Sequence, residues 1–191
     1  RVEAAKNPNA SLDLLKELAD DDGVFLAVAS NLNTPKTLLE DLARLKLERS
    51  PELRIVLATN PNTPVSILEK LKRNKNPVVR DRLAGNPATP KYLLEQFANS
   101  SRNQTRKALA SNPKIPEHMM HLLAKSTSSS IRAALAANPQ TLPVVLKSLS
   151  RDRDPLVRIK VSQNPQAPFS ILEENLSKLL AAKKADAITL S

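Results

Sequence analysis

Arg80-Asp81-Arg82-Leu83-Ala84-Gly85-Asn86-Pro87-Ala88-Thr89-Pro90-Lys91-Tyr92-Leu93-Leu94-Glu95-Gln96-Phe97 is a phrase that the chain repeats from end to end. Asn-Pro stands at Asn60-Pro61, Asn86-Pro87, Asn112-Pro113, Asn138-Pro139 and Asn164-Pro165, a spacing of 26 residues each time. Asn7-Pro8 and the diverged Asn31-Leu32 carry the series toward the N-terminus with steps of 24 and 29, which makes seven copies. A fixed period of this size is the mark of a stacked repeat array, in which each unit buries its apolar side against the next.

Each copy reads as two short helices. The first starts after a polar residue at Ser50, Asn76, Ser128 or Asp154, and Pro51, Pro77 and Pro155 follow three of these. A capping side chain satisfies an orphan amide, and Pro at the first helical position pre-sets φ. An Arg lies four residues past the cap, followed by apolar residues and a small residue two before the Asn, such as Leu57-Ala58 and Leu83-Ala84. Asn-Pro ends that helix, because Pro disfavours the helical conformation of its predecessor. A second start is expected at Thr34-Pro35, Thr63-Pro64 and Thr89-Pro90, and, less well capped, at Ile115-Pro116, Leu142-Pro143 and Ala167-Pro168. Doublets such as Leu38-Leu39, Ile67-Leu68, Leu93-Leu94 and Ile171-Leu172 follow, most with a further apolar residue four positions on, so the second helix has one apolar stripe. Isolated helices shorter than about 12 residues are marginal in water, so stacking must supply the stability. The fold class is therefore all-α: an α-solenoid of about seven stacked two-helix repeats over residues 1–176, followed by a capping helix and tail over 177–191.

Three departures stand out. The second copy has Phe25 in place of the Arg and Leu32 in place of the Pro, with Asp20-Asp21-Asp22 just before. Three extra residues fall within 43–50, where a lengthened helix or turn and a local change of twist are expected. The chain also opens at Arg1, partway into a copy, so the natural N-terminus is expected to lie upstream.

Composition narrows the chemistry. There are 191 residues, 29 Lys and Arg against 19 Asp and Glu, a net charge of +10, and no Cys. The absence of Cys excludes disulfides, thiolate metal sites and a cysteine nucleophile. Fifteen Pro against two Gly mark repeat punctuation and leave no Gly-rich phosphate cradle. No membrane span or signal sequence is visible, and a cytoplasmic location is expected. The positive charge favours acidic partners, while one Tyr, three Phe and no Trp offer little for bases to stack on.

The pattern Arg-x-x-apolar-Ala-x-Asn-Pro-x-Thr-Pro-x-x-Leu-Leu-x-x-Leu, as at Arg54 to Leu71, resembles the leucine-rich repeat variant family over about residues 1–176. The resemblance implies alternating short helices, one of them often 3₁₀, in a right-handed superhelix rather than a β-containing horseshoe. Some members of that family carry an N-terminal cysteine cluster with an iron–sulfur centre; with no Cys here, no cofactor is expected. The family pattern supplies no catalytic residue.

Two columns are the candidate sites. Asn60, Asn86, Asn112, Asn138 and Asn164 are expected to form a structural corner ladder, each amide bonding backbone groups that the turn leaves unpaired. Arg54, Arg80, Arg106, Arg132 and Arg158 either bond corner carbonyls or form a row for phosphate or carboxylate groups. The residues four before them are Ser50, Asn76, Arg102, Ser128 and Asp154, so an Arg–Asp ladder is not expected. Lys70, Lys72, Arg73, Lys75, Arg151 and Arg153 lie at the ends of second helices and in the turns between copies, a solvated edge or a phosphate-tracking strip. His118 and His121 are spaced for a shared metal but have only Glu117 nearby, short of the three protein ligands usual in catalytic zinc sites, so no metal is expected. The functional expectation is a non-enzymatic scaffold that binds a macromolecule, foremost a protein with an acidic segment, with sequence-nonspecific nucleic-acid backbone binding as the alternative. A glycosylase built on helical repeats would need an aromatic-lined pocket with an acid; a scaffold would show an apolar or mixed groove.

Overall fold

Local chemistry sets the first helix of each pair. Ser50 Oγ accepts from the Leu53 amide at 3.0 Å, Asn76 Oδ1 from Val78 at 2.9 Å and Asp154 Oδ1 from Leu156 at 2.9 Å, each just ahead of a proline at the first helical position. Ser128 differs from the expectation: it makes no side-chain cap bond, and its Oγ lies 2.9 Å from that of Ser130.

Four second helices begin one residue later than their X-Pro pairs suggest, whereas the one at Leu142-Pro143 starts on Pro143 as expected. Pro35, Pro64, Pro90 and Pro116 are themselves the N-cap residues. The threonines are not caps. Thr34, Thr89 and Thr141 are buried, and each hydroxyl donates to the carbonyl six residues back, Val28, Leu83 and Leu135, so it ties the corner to the end of the first helix. Thr63 is buried equally, but its hydroxyl has no partner. Both helices of a pair are α among the described residues; 3₁₀-type bonding occurs at their ends, as in Ile67 N–H to Pro64 O at an entry and Asn86 N–H to Leu83 O at an exit.

The computed structural model describes residues 1–171 and 173, with thirteen helices and no strand among them. The chain divides into two units, Arg1–Lys114 and Ile115–Ser191. The first holds α1 (Val2–Lys6), α2 (Leu12–Ala19), α3 (Phe25–Ser30), α4 (Lys36–Lys46), α5 (Pro51–Thr59), α6 (Val65–Leu71), α7 (Pro77–Gly85), α8 (Lys91–Ala98) and α9 (Asn103–Ala110). Odd-numbered helices stack successively, α1 on α3, α3 on α5, α5 on α7 and α7 on α9, and most even-numbered helices pack against the odd-numbered neighbours before and after them. The second unit holds α10 (Glu117–Ala124), α11 (Ser129–Ala137), α12 (Pro143–Leu149) and α13 (Pro155–Ser162); there α11 stacks on α13 and α10 on α12. The expected boundary at residues 176 and 177, the capping helix and Leu172 of the last doublet lie outside the described residues.

The core is the repeat's apolar columns. Leu53, Leu57, Leu83, Leu109 and Leu135 from first helices and Leu39, Leu68, Leu94 and Leu146 from second helices are fully buried. At roughly 1.5–3 kcal/mol per buried side chain of this size, these columns supply what the short helices lack.

The three extra residues extend α4 to eleven residues and bring Leu47 into the core. Lys46, in the added turn, lies with its Nζ 4.8 Å from the centre of the Phe25 ring and pairs with Asp22. Where the second copy lacks the column Arg, a cation from the following turn thus covers the replacing aromatic ring. Lys46 also holds the Asp22 carboxyl below its ordinary range.

Candidate binding surface

The asparagine side chains form a ladder built on the small residue before them. In the first unit Asn31 Nδ2 donates to Ala5 O and Asn7 O, Asn60 to Ala29 O and Asn31 O, Asn86 to Ala58 O and Asn60 O, and Asn112 to Ala84 O and Asn86 O, at 2.7 to 3.3 Å. In the second unit Asn164 donates to Ala136 O and Asn138 O at 2.7 and 2.8 Å. Each Oδ1 accepts the amide two residues on, as Ala88 N–H to Asn86 and Gln140 N–H to Asn138. Ala5, Ala29, Ala58, Ala84, Ala110 and Ala136 are fully buried. A larger side chain there would hold the neighbouring helix, and the Asn amide, away from the carbonyl.

The arginines point to the turn that precedes their own helix. Arg54 Nη2 donates to Glu48 O (2.8 Å), Arg80 Nη1 to Asn74 O (2.8 Å), Arg132 Nη1 to Ser126 O (2.6 Å) and Arg158 Nη1 to Asp152 O (2.7 Å), in every case the carbonyl six residues back. Arg54 Nε adds Leu47 O at 2.9 Å. Arg106 departs from the pattern: Nη2 donates to Asn103 Oδ1, and its buried Nε has no partner. Exposure falls from Arg158, which is open, through Arg54, Arg80 and Arg106 to the buried Arg132.

Two acidic partners were invisible in the cap column. Asp152, two residues before the cap Asp154, receives Arg132 Nε and Nη2 at 2.6 and 2.8 Å. That pair holds the Asp152 carboxyl below its ordinary range, against the opposing effect of burial. Asp81 is buried on α7 and receives Arg102 Nε at 3.1 Å and the Thr105 hydroxyl at 2.5 Å from α9. The signal for it lies across copies. Positions seven before Asn read Leu53, Val79, Ile131 and Val157 but Thr105, and positions five before read Ile55, Ala133 and Ile159 but Asp81 and Lys107. A polar pair replaces an apolar one.

Beside a cleft of 360 Å³ lined by Lys36, Pro61, Thr63, Pro64, Val65, Pro87, Ala88 and Lys114, two more open in the first unit. One, of 290 Å³, is lined by Ser30, Leu32, Ile55, Val56, Thr59, Asn60 and Arg82 on the face of the first helices. The other, of 410 Å³, lies between turns and is lined by Leu47, Glu48, Arg54, Lys70, Leu71, Arg73, Asn74, Lys75 and Asn76. His118 and His121 are exposed, and among the described residues no three His, Cys, Asp or Glu come together as a metal site. The Tyr92 hydroxyl donates to Glu69, which pushes the phenol up from its ordinary pKa, but this aromatic–acid pair is exposed on the second-helix face and lines none of these clefts. Among the described residues no helix is long and apolar enough to cross a membrane.

The chain matches no protein-family model and no curated protein. It does match a solved structure described as a leucine-rich repeat variant with a novel repetitive protein structural motif, with a TM-score of 0.53 and 25% identity over 87% of this chain. The match spans 66% of that structure's own chain. In fold, as in its Asn-Pro phrase, this chain is similar to the leucine-rich repeat variants.

Proposed function

We propose that this chain is a non-enzymatic repeat scaffold that holds a protein segment against the exposed face of its first helices. The observation that supports this most is the 290 Å³ groove in which Leu32, Ile55 and Val56 make an apolar floor and Arg82 stands at the rim. Leu32 is 64% exposed, at the position where the other copies carry Pro. Three consecutive copies contribute to the groove, so it depends on their stacking. An apolar floor accepts anchor side chains, an adjacent guanidinium favours a carboxylate, and repeat scaffolds bind through many such contacts on a preorganised surface. Nucleic-acid backbone binding through the Arg column ranks second. Arg54, Arg80, Arg132 and Arg158 already donate to turn carbonyls, which leaves fewer donors for phosphate.

The test is an array of acidic, Leu-containing peptides probed with the purified chain, beside labelled duplex DNA, at physiological salt. Peptides that bind and are lost on Val56→Glu, with the helical circular dichroism unchanged, are the expected result. Duplex binding stronger than any peptide and indifferent to Val56→Glu overturns the reading.

A further inference from the structure

We propose that the 410 Å³ cleft between turns of the first unit is a recognition site for a compact dianion of the phosphate-monoester type, carried on a protein segment. This proposal deepens the scaffold reading by naming the chemistry of a partner. It uses a surface separate from the apolar groove.

The cleft exists because of the insertion in the second inter-repeat interval, Asn31 to Asn60. The extra turn of α4 carries Leu47 and Glu48 to one wall, Arg54 of α5 stands beside them, and the turn after α6 forms the opposite wall with Lys70, Arg73 and Lys75. Four cations thus face one carboxylate. That carboxylate, of Glu48, is 92% exposed and 3.6 Å from Arg54 Nη2, so it swings free at little cost. The side chains of Lys70, Arg73 and Lys75 make no hydrogen bond or ion pair among the described residues.

The wall that carries these cations is rigid. Asn74 N–H donates to Leu71 O, Asn76 N–H to Asn74 Oδ1, Val78 N–H to Asn76 Oδ1, and Arg80 to Asn74 O. The turn is therefore fixed by bonds that need no ligand, and the cations need order only their own side chains on binding. A dianion with three acceptor oxygens matches several converging N–H donors better than a single carboxylate does.

The placement of charge favours a local group over a polyanionic track. A duplex backbone presents a charge about every 3.4 Å along each strand and rewards cations at successive positions. The next turn of this unit, Asn99-Ser100-Ser101-Arg102, offers one cation, and Arg102 is already paired with Asp81. The preceding edge is acidic, with Asp20, Asp21 and Asp22. Positive potential is concentrated at one turn, as a single phosphate on a peptide requires.

The experiment is a set of phosphoserine peptides, each beside its unphosphorylated twin, titrated by fluorescence anisotropy against the full chain and against Lys70→Met/Arg73→Met/Lys75→Met. Inorganic phosphate and labelled duplex DNA serve as competitors. The expected result is a preference of about tenfold for phosphorylated peptides, abolished in the triple variant, with Val56→Glu leaving the preference intact. These exposed side chains are outside the core, and a matched thermal melt establishes that the variant folds. Equal binding of both twins, or a preference that survives the triple variant, overturns the proposal. Competition by inorganic phosphate as effective as by the phosphopeptide also overturns it, in favour of a free-phosphate site. Duplex DNA that outcompetes every phosphopeptide overturns it in favour of nucleic acid. Weaker binding of both twins on Val56→Glu, with the ratio between phosphorylated and unphosphorylated peptide unchanged, separates the two surfaces.

Discussion

Arg132 and Asp152 form a two-point ion pair across consecutive repeats, with Nε and Nη2 at 2.6 and 2.8 Å from the two carboxylate oxygens and both side chains more than nine-tenths buried. Arg132 Nη1 meanwhile holds Ser126 O, so one guanidinium joins its own turn to the next one. Removing one member leaves the other charge buried and unpaired. Asp152→Leu is expected to cost about 3 kcal/mol, whereas Arg132→Met with Asp152→Leu costs less than the two single changes together. Urea unfolding of the four members of this cycle is the measurement.

The same pair sets an acid limb. The folded Asp152 carboxyl titrates below its unfolded value of about 3.9, so its contribution is complete above that pH and is lost as pH falls through the lowered folded value. Urea midpoints taken between neutral pH and pH 2 should therefore decline below about pH 4. Asp152→Asn should flatten that decline without removing it, because Asp154, bonded by Ser129 and the Leu156 amide, is also lowered.

Asn86 tests the ladder. Its amide joins two consecutive corners, donating to Ala58 O and Asn60 O of the preceding copy and accepting from the Ala88 amide of its own. Asn86→Ala removes the bonds to the Ala58 carbonyl and the Ala88 amide, while Asn60 O keeps the Thr63 N–H, and should cost on the order of 3 kcal/mol. Asn86→Asp should be at least as damaging, since a carboxylate would face two carbonyl oxygens. Thermal melts of both variants decide it.

The corner threonines divide into two kinds. Thr89→Val removes a bond of 2.7 Å to Leu83 O and should destabilise by about 1 kcal/mol. Thr63→Val removes a buried hydroxyl that has no partner, and should be neutral or stabilise by about 1 kcal/mol. Opposite signs from the same substitution in adjacent copies would be read as shifts of the urea midpoint.

Asp81 and Thr105 form a replaceable unit. Asp81→Ile alone strands the Thr105 hydroxyl and Thr105→Val alone strands part of the carboxylate, so each should destabilise by about 1–3 kcal/mol. The double variant installs the apolar pair found in most copies and should recover most of the loss. Calorimetry of the three proteins tests the expected coupling.

Much of this architecture is local and was readable in order. Ser50, Asn76 and Asp154 cap helices because a short polar side chain reaches amides two or three residues ahead, and that reach depends only on sequence spacing. The doublets became core because i, i+1 and i+4 fall on one helix face. Thr34 and Thr89 look like caps in sequence and are corner bolts in the fold, since the carbonyls they meet are brought round by the turn itself.

What only tertiary structure decided are the pairings between copies. The sequence by itself determined the period, the helix pairs and the two columns, because a repeated phrase imposes a repeated local conformation. It did not determine that Ala58 would be the acceptor for Asn86, that Asp152 would reach back to Arg132, or that an extra turn of α4 would open a cleft beside Lys70 and Arg73. Those relationships join residues about 20 to 30 positions apart, where the separation is set by how helices stack and not by the reach of any one side chain along its own backbone.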